Sequence, residues 1–283
     1  MESNILDFSK SSYIKVNHAF LGMVKANFPG GQISDTLSAV LNVILHSAII
    51  SNYSGKGVEN KYKRVTLTER TIDVALSTEA VRELFSINQT KSTTDAIVKK
   101  KRRPTKKEMD SYWQKMKSLI AIQVISDTDT SETVSNLFIE IIKTKGDNSI
   151  NYPYELVLNR RLIDYVAPRS GEFESGYTRI GSLPAFLMPK RAVYMYYFLS
   201  MYSNLIVTRK WNKGRPYTGH ELSAVTKALG VENYSRSTKI VENLRLLCNH
   251  VNRATGSAVD IETVKVDRVI KKLDFKLKEV THE

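Results

Sequence analysis

The chain has 283 residues, 42% of them hydrophobic, so it is long enough to bury a substantial core and to form one to three domains. Its 42 lysines and arginines outnumber its 29 aspartates and glutamates, and the resulting net charge of +13 at pH 7 attracts polyanions. Nucleic acid is the expected partner. An anionic membrane surface is the competitor, but no basic amphipathic helix with an aromatic face favours it.

The single cysteine, Cys248, excludes a disulfide framework and a cysteine-based zinc site, and it fits a reducing cytoplasm. The apolar runs are shorter than the ~20 residues that a membrane span requires. Residues 1–10 lack the basic region and apolar stretch of a secretory signal. We therefore expect a soluble, cytoplasmic protein.

The first half of the chain predicts three helices. Apolar residues favour helices over residues 36–50 and about 77–85. Pro104 marks a break, after which Thr105 and Glu108 form the capping box of a third helix that runs to about residue 119. Apolar side chains at i, i+4, i+7 and i+11 predict its core face: Met109, Trp113, Met116 and Ile120. The opposite face is polar and basic: Lys107, Ser111, Gln114 and Ser118, with Lys115 beside them.

Two β-rich runs follow that helix, residues 122–125 and 137–143, and predict a hairpin with a polar tip at residues 126–135. Before the helix, an insertion at about residues 88–103 ends in a dense run of cations. The run consists of Lys99, Lys100, Lys101, Arg102 and Arg103, with Lys106 and Lys107 close behind. Like charges this dense stay mobile until a polyanion neutralises them, so we expect the run to bind nucleic acid. The alternative is a solvated loop.

Residues 145–153 collect Gly, Asp, Asn, Ser and Pro between two β-like segments, a composition that favours turns. We therefore predict an N-terminal extension at residues 1–34, a first domain at residues 35–145, a linker at residues 146–153 and a second domain at residues 154–283.

The second half predicts the same order of elements. Helices are expected over residues 190–204, over residues 218–229 with Gly230 at the end, and over about residues 235–253. The last helix has an apolar stripe, predicted to be core, of Ile240, Leu244, Leu247 and Val251. Its opposite face carries side chains that can bond to phosphates and base edges: Thr238, Glu242, Arg245, Asn249 and Arg253, with Arg236 and Lys239 nearby.

After Gly256, apolar residues alternate with polar ones, so residues 273–277 predict a half-buried strand whose partner is residues 258–266. This strand adds two basic candidates for nucleic-acid binding, Lys272 and Lys276. Helix, turn, helix and basic hairpin in this order predict a winged helix-turn-helix. The whole chain is thus predicted to be an α+β, mostly helical protein with two winged helix-turn-helix domains in tandem.

A further cluster interleaves aromatic residues with cations: Arg209, Lys210, Trp211, Lys213, Arg215 and Tyr217. Phosphate and base contacts together would require such a mixture. The alternative is a loop whose Trp211 packs on the neighbouring helix.

Candidates for catalysis are few. The five histidines are dispersed without the spacing of metal ligands, and residues 54–57 (SGKG) lack the spacing of a phosphate-binding loop. Asp127, Asp129 and Glu132 form a tight carboxylate group, but the glycine and the distal glutamate of a calcium loop do not follow. We therefore predict a non-enzymatic protein without a cofactor or a metal.

Residues 154–158 (YELVL) open the second half, and residues 190–199 (KRAVYMYYFL) form its first helix. With two winged-helix domains, this layout resembles the replication initiators of iteron-bearing plasmids over about residues 35–278; the insertion at residues 88–103 departs from that family's plan. The resemblance implies that the C-terminal winged helix binds a repeated DNA site, with bases read by Lys239, Glu242, Arg245 and Asn249. It implies that the N-terminal one contacts the DNA backbone, with help from Lys107, Gln114 and Lys115, and mediates dimerisation.

We therefore expect a sequence-specific duplex-DNA-binding protein of plasmid or phage origin that marks a replication origin and recruits host replication proteins. The alternative is a phage or mobile-element protein that binds RNA or single strands through the same basic surface. A third class is a structural protein that uses its basic face for assembly.

Overall fold

The computed structural model describes residues 13–17, 20, 35–87, 104–128, 131–145, 151–170, 177–181, 190–211, 214–231 and 236–277. The chain forms two compact units, Met1–Phe186 and Leu187–Glu283. Both units contain helices and antiparallel strands, so the protein is a mixed α/β chain. Among the described helices, none is long and apolar enough to cross a membrane.

The first unit contains β1 (Tyr13–Val16), α1 (Asp35–Ser54), β2 (Val58–Glu59), β3 (Lys63–Leu67), β4 (Thr71–Leu76), α2 (Thr78–Ile87), α3 (Lys106–Lys117), β5 (Gln123–Thr128), β6 (Ser131–Asn136), β7 (Phe138–Lys143), β8 (Tyr154–Asn159), α4 (Arg160–Val166) and β9 (Thr178–Gly181). A 3-10 turn, Ser118–Ala121, extends α3. Five strands form an antiparallel sheet in the order β2-β3-β4-β8-β7, while β5 pairs with β6 and β1 with β9.

The core of the first unit lies between this sheet and α1. In register, Val74 of β4 faces Leu156 of β8, and both side chains are fully buried, so they lie on the covered face of the sheet. Helix α1 packs on β3 and β4, and every residue from position 40 to position 49 is buried. Seven of these ten residues are apolar, as expected for a helix that is buried all round, and the three polar ones, Asn42, His46 and Ser47, are buried with them.

Helix α3 begins with the predicted capping box. The Thr105 hydroxyl accepts from the Glu108 backbone N–H at 3.3 Å, and the Glu108 carboxylate accepts from the Thr105 backbone N–H at 2.8 Å. The buried face differs from the predicted stripe, because Tyr112 is buried with Met116 while Ile120 is 39% exposed. Tyr112 turns inward because its ring stacks on Phe85 of α2 at 4.6 Å between centroids.

The predicted hairpin of the first half is wrong in its pairing. Strand β5 pairs with β6, whose sequence SETVSN lies mostly in the predicted polar tip, and β7 pairs with β8 in the five-stranded sheet. Alternating apolar residues identify a strand that is buried on one face, but β6 lacks this pattern. The β3–β4 hairpin was also not predicted from the sequence.

The division between the units also differs from the predicted linker at residues 146–153. Strand β8 lies between β4 and β7 in the sheet of the first unit, so the segment before it connects two neighbouring strands. The backbone N–H of Thr144 donates to the carbonyl of Pro153 at 2.9 Å, which continues the β7–β8 ladder. Gly, Asn, Asp and Pro occur in hairpin connections as well as in linkers, so the composition did not distinguish the two.

The second unit contains α5 (Lys190–Met201), α6 (Ser203–Thr208), β10 (His220–Glu221), α7 (Leu222–Leu229), α8 (Ser237–Thr255), β11 (Val259–Val266) and β12 (Val269–Leu277). Its antiparallel sheet has the order β10-β12-β11. Helix α7 begins four residues later than predicted because the preceding residues pair with β12, and it ends at Gly230 as predicted, with φ at +65°.

Helix α8 packs on α5 and on β11. Its buried residues are Val241, Leu244, Cys248 and Val251, whereas Ile240 and Leu247 of the predicted stripe are half-buried. The core face is rotated because β11 covers one flank of the helix. There Cys248 donates through Sγ to the Val259 carbonyl at 3.3 Å, and Asn252 donates to the same carbonyl at 2.8 Å.

Strands β11 and β12 form a hairpin whose turn is Asp267–Arg268. Both residues have positive φ, 51° and 64°, as in the two-residue turns that match the twist of a hairpin. Ile261 and Phe275 face each other in register and are buried, which fixes the base of the hairpin on the core.

Candidate nucleic-acid interface

The side of α8 that faces away from α5 and β11 is exposed along its whole length. It includes the predicted residues Thr238, Lys239, Glu242, Asn249 and Arg253, preceded by exposed Arg236. At about 100° per residue, Glu242, Leu246, Asn249 and Arg253 fall within an arc of ~60°. Leu246 is 59% exposed and was not predicted as part of this face. We refer to this surface of α8 as the outer face.

Arg245, predicted to read bases, contacts the β11–β12 hairpin. Its Nε and one terminal nitrogen donate to the Ile261 carbonyl of β11 at 3.3 and 3.1 Å. The predicted exposure is confirmed, but this contact holds α8 against β11 and occupies part of the five-donor guanidinium.

Lys272 and Lys276 of β12 are also paired within the unit. The Lys272 ammonium lies 3.4 Å from Glu221, and that of Lys276 contacts Glu262 and lies 3.7 Å from Asp274. The hydrogen bond to Glu262 raises the pKa of Lys276. The alternation of apolar and polar residues predicted that both lysines point away from the core. It gave no information on the acidic side chains nearby in the sheet, which pair with their charges.

The far end of the β11–β12 hairpin carries cations that the sequence reasoning did not select. Lys265, Arg268 and Lys271 are exposed, and among the described residues none of their side chains forms an ion pair. The density of cations in KVDRVIKK, residues 265–272, was the available signal. This end of the hairpin therefore presents the charge that we expected from Lys272 and Lys276.

Arg209, predicted to bind nucleic acid, forms hydrogen bonds within the second unit. Its two terminal nitrogens donate to both oxygens of Asp274 at 2.7 Å, one of them also donates to the Phe275 carbonyl at 2.9 Å, and the guanidinium stacks on Tyr217 at 4.7 Å. The hydrogen bonds to Asp274 raise the pKa of Arg209. Since Asp274 is only 8% exposed, its charge requires this partner inside the unit.

The loop after Arg209 forms a short hairpin of its own. The Trp211 backbone N–H donates to the Arg215 carbonyl at 2.7 Å, and Lys210 forms a bridge with Pro216. Lys210 and Arg215 are exposed. Trp211 meets Tyr217 edge to face at 5.7 Å between centroids and stays 37% exposed, so part of its surface is open to solvent. Its described ring partners, Tyr217 and His220, lie outside the helices, unlike the helix packing that the alternative predicted.

His220 lies in an aromatic cluster behind this loop. Its ring centroid lies 4.5 to 5.9 Å from five other rings, those of Phe198, Tyr202, Trp211, Tyr217 and Phe275. Burial lowers the pKa of His220 to about 4, although Asp274 opposes the shift. His220 is therefore neutral at physiological pH.

In the first unit, α3 exposes the residues that its sequence predicted, namely Lys106, Lys107, Gln114 and Lys115. The cationic run Lys99, Lys100, Lys101, Arg102 and Arg103 lies outside the described residues, as does Lys213. Within the part of the chain that is described, no three His, Cys, Asp or Glu side chains converge as they would around a metal ion.

Comparison with known proteins gives a likeness of fold. No protein-family model matches the chain, and no curated protein matches it. Among solved structures, the chain resembles the "Crystal structure of Pi initiator protein in complex with iteron DNA", with a TM-score of 0.56 and 11% sequence identity. The likeness covers 96% of this chain and 99% of that chain, so the shared fold extends over both units.

Proposed function

We propose that this protein binds duplex DNA at a specific repeated site and acts as a replication initiator. The observation that carries the proposal is the exposed outer face of α8, on a fold shared from end to end with an initiator that was crystallised with iteron DNA. The basic net charge of +13 supplies the non-specific attraction to phosphates on which specific reading can build.

The second unit is, in this proposal, a winged helix-turn-helix with α8 as recognition helix. The order of α7, α8 and the β11–β12 hairpin supports it. A helix of this width fits the major groove, where Lys239 bonds to guanine, Asn249 to adenine and Glu242 to cytosine. Arg253 and the exposed cations of the hairpin end then contact phosphates.

The first unit is proposed to be a second winged helix-turn-helix, with α3 as its recognition helix and β5–β6 as its wing. The order of α2, α3 and hairpin supports this proposal, and so do the exposed Lys107, Gln114 and Lys115. Dimerisation and the recruitment of host replication proteins stay predictions of the family resemblance.

RNA or single-strand binding is the second candidate function. Trp211 favours it, because a partly exposed aromatic ring between the exposed cations Lys210 and Arg215 can stack on an unpaired base. The edge-to-face contact with Tyr217 restricts the orientation of this ring, which lowers the entropy cost of stacking.

The outer face is tested with Asn249→Ala and Arg253→Ala. Against a DNA site obtained by selection, Asn249→Ala should lose about 1–3 kcal/mol and relax preference at one base pair, whereas Arg253→Ala should weaken all sequences alike. Asn204→Ala, another exposed asparagine of the second unit, is the matched control and should bind normally. Loss of affinity by Asn249→Ala with unchanged base preference at every position would refute base reading by this residue.

A further inference from the structure

Leu246 occupies the centre of the outer face. It lies one turn after Glu242 and one turn before Asn249 and His250, all of them exposed. Among the exposed residues of α8, Leu246 is the single large apolar one. Its side chain is 59% exposed, whereas the neighbouring Leu247 is half-buried and Leu244 is fully buried.

The chemistry of the DNA major groove provides an apolar partner for such a side chain. Each A·T pair presents the N7 and N6 atoms of adenine together with the 5-methyl group of thymine. Asn249 carries the amide that pairs with those adenine atoms. Leu246, three residues earlier, is displaced from it by about 4.5 Å along the helix axis, close to the ~3.4 Å between successive base pairs.

We propose that Leu246 determines specificity by contacting a thymine methyl group within one base-pair step of the adenine read by Asn249. The proposal rests on the proposed function and extends it, because it assigns an A·T-containing step to the middle of the site. Thymine carries a methyl group on C5, where cytosine has only hydrogen. Leu246 removes this methyl group from water on binding, which favours thymine over cytosine.

The test replaces thymine by deoxyuridine, which lacks only the 5-methyl group, at each thymine of the selected site in turn. Wild-type protein should lose about fourfold in affinity at one or two positions, the factor that corresponds to burial of one methyl group. Leu246→Ala should weaken binding to the thymine site by at least that factor and should show no further loss with deoxyuridine at those positions.

Val207→Ala is the matched control, since Val207 is 61% exposed on α6 and lies away from α8 in the chain. It should keep the full sensitivity to deoxyuridine. Leu246→Ala removes an exposed side chain, so its thermal unfolding should match that of the wild type and a loss of affinity is not a folding defect.

The inference is overturned if Leu246→Ala keeps the wild-type sensitivity to deoxyuridine at every position while still binding the selected site, a result that leaves the proposed function intact. It is equally overturned if Leu246→Ala changes only self-association, which would make Leu246 a protein contact. Failure of any duplex site to be selected would refute the proposed function itself, and this inference with it.

Discussion

Single residues of the same charge differ in whether they are available to a partner. Arg209, Arg245, Lys272 and Lys276 all carry the charge that attracts phosphate, but oxygen atoms of the same unit already accept hydrogen bonds from them or pair with them. Arg253 carries the same charge but is exposed and has no such contact among the described residues, and the neutral, exposed Asn249 has none either. We therefore choose the candidates for binding DNA by whether the side chain is exposed and free of internal partners among the described residues, and not by charge alone.

Arg209→Ala should destabilise the second unit rather than only weaken DNA binding. It leaves the buried Asp274 carboxylate without its bidentate partner, and we expect a loss of about 2 kcal/mol in the free energy of unfolding, measured by urea denaturation. Lys210→Ala, at the exposed neighbouring position, is the control and should unfold like the wild type. Equal stability of the two variants would contradict a structural role for Arg209.

His220 should make the second unit less stable in acid. Its pKa is about 4 in the folded chain and about 6.5 when unfolded, so the unfolded state binds more protons between these values. The contribution of His220 to the free energy of unfolding should therefore be fully present above pH 6.5 and fall as the pH decreases from 6.5 towards 4.

The measurement uses Trp211 fluorescence in a Trp113→Phe background, which removes the other tryptophan and so the signal of the first unit. His46 of that unit has a pKa of about 3 for the same reason, burial, so the two units must be observed separately. His220→Phe, which keeps an aromatic ring in the cluster, should reduce the decline. An undiminished decline would assign it to other groups.

At the scale of elements, the sequence predicted best where local signals were sufficient. The capping box of α3, the end of α7 at Gly230 and the β11–β12 hairpin are local, and the structure contains them. The rotation of α8 could not be predicted because it depends on β11, which touches one flank of the helix through Cys248 and Asn252. Periodicity identifies an exposed face to within about one residue, which is why it did not reveal Leu246.

The end of the β11–β12 hairpin should contribute more to phosphate binding than its base. Replacing Lys265 and Lys271 together by Ala should reduce the steepness with which affinity falls with salt, by about 0.9 in the log–log slope for each phosphate that the variant no longer neutralises. The matched double variant, Lys272→Ala with Lys276→Ala, removes two cations that are already paired with carboxylates and should change the slope less. Affinity is measured by titration at several salt concentrations, and a larger effect of the second variant would reverse the assignment.

At the scale of the whole molecule, the boundary between the two units depends on strand pairing between distant segments, which the sequence did not reveal. Residues 154–159 read as the start of a second domain, but β8 is bonded to β4, about 80 residues earlier, and to β7. A local sequence pattern does not predict which strand a segment will pair with. Residues 63–76, which form β3 and β4 of that sheet, were also not recognised as strands. The helix–helix–hairpin order at the end of the second half was nevertheless predictable, because the pairing of β11 with β12 is short-range.

The net charge of +13 favours a polyanionic partner. Non-specific attraction alone would bind any polyanion, so the central claim is that this chain prefers a duplex sequence over other polymers. That preference distinguishes an initiator from an RNA-binding protein and from a basic assembly protein.

The most direct test offers the protein a randomised duplex pool in competition with total cellular RNA and random single strands at about 0.2 M salt, followed by footprinting of the recovered sequence. We predict recovery and protection of one repeated duplex site, at which single base-pair substitutions cost about 1–3 kcal/mol. Recovery of RNA or single strands in preference to duplex, or of duplex DNA without a common sequence, would contradict this claim.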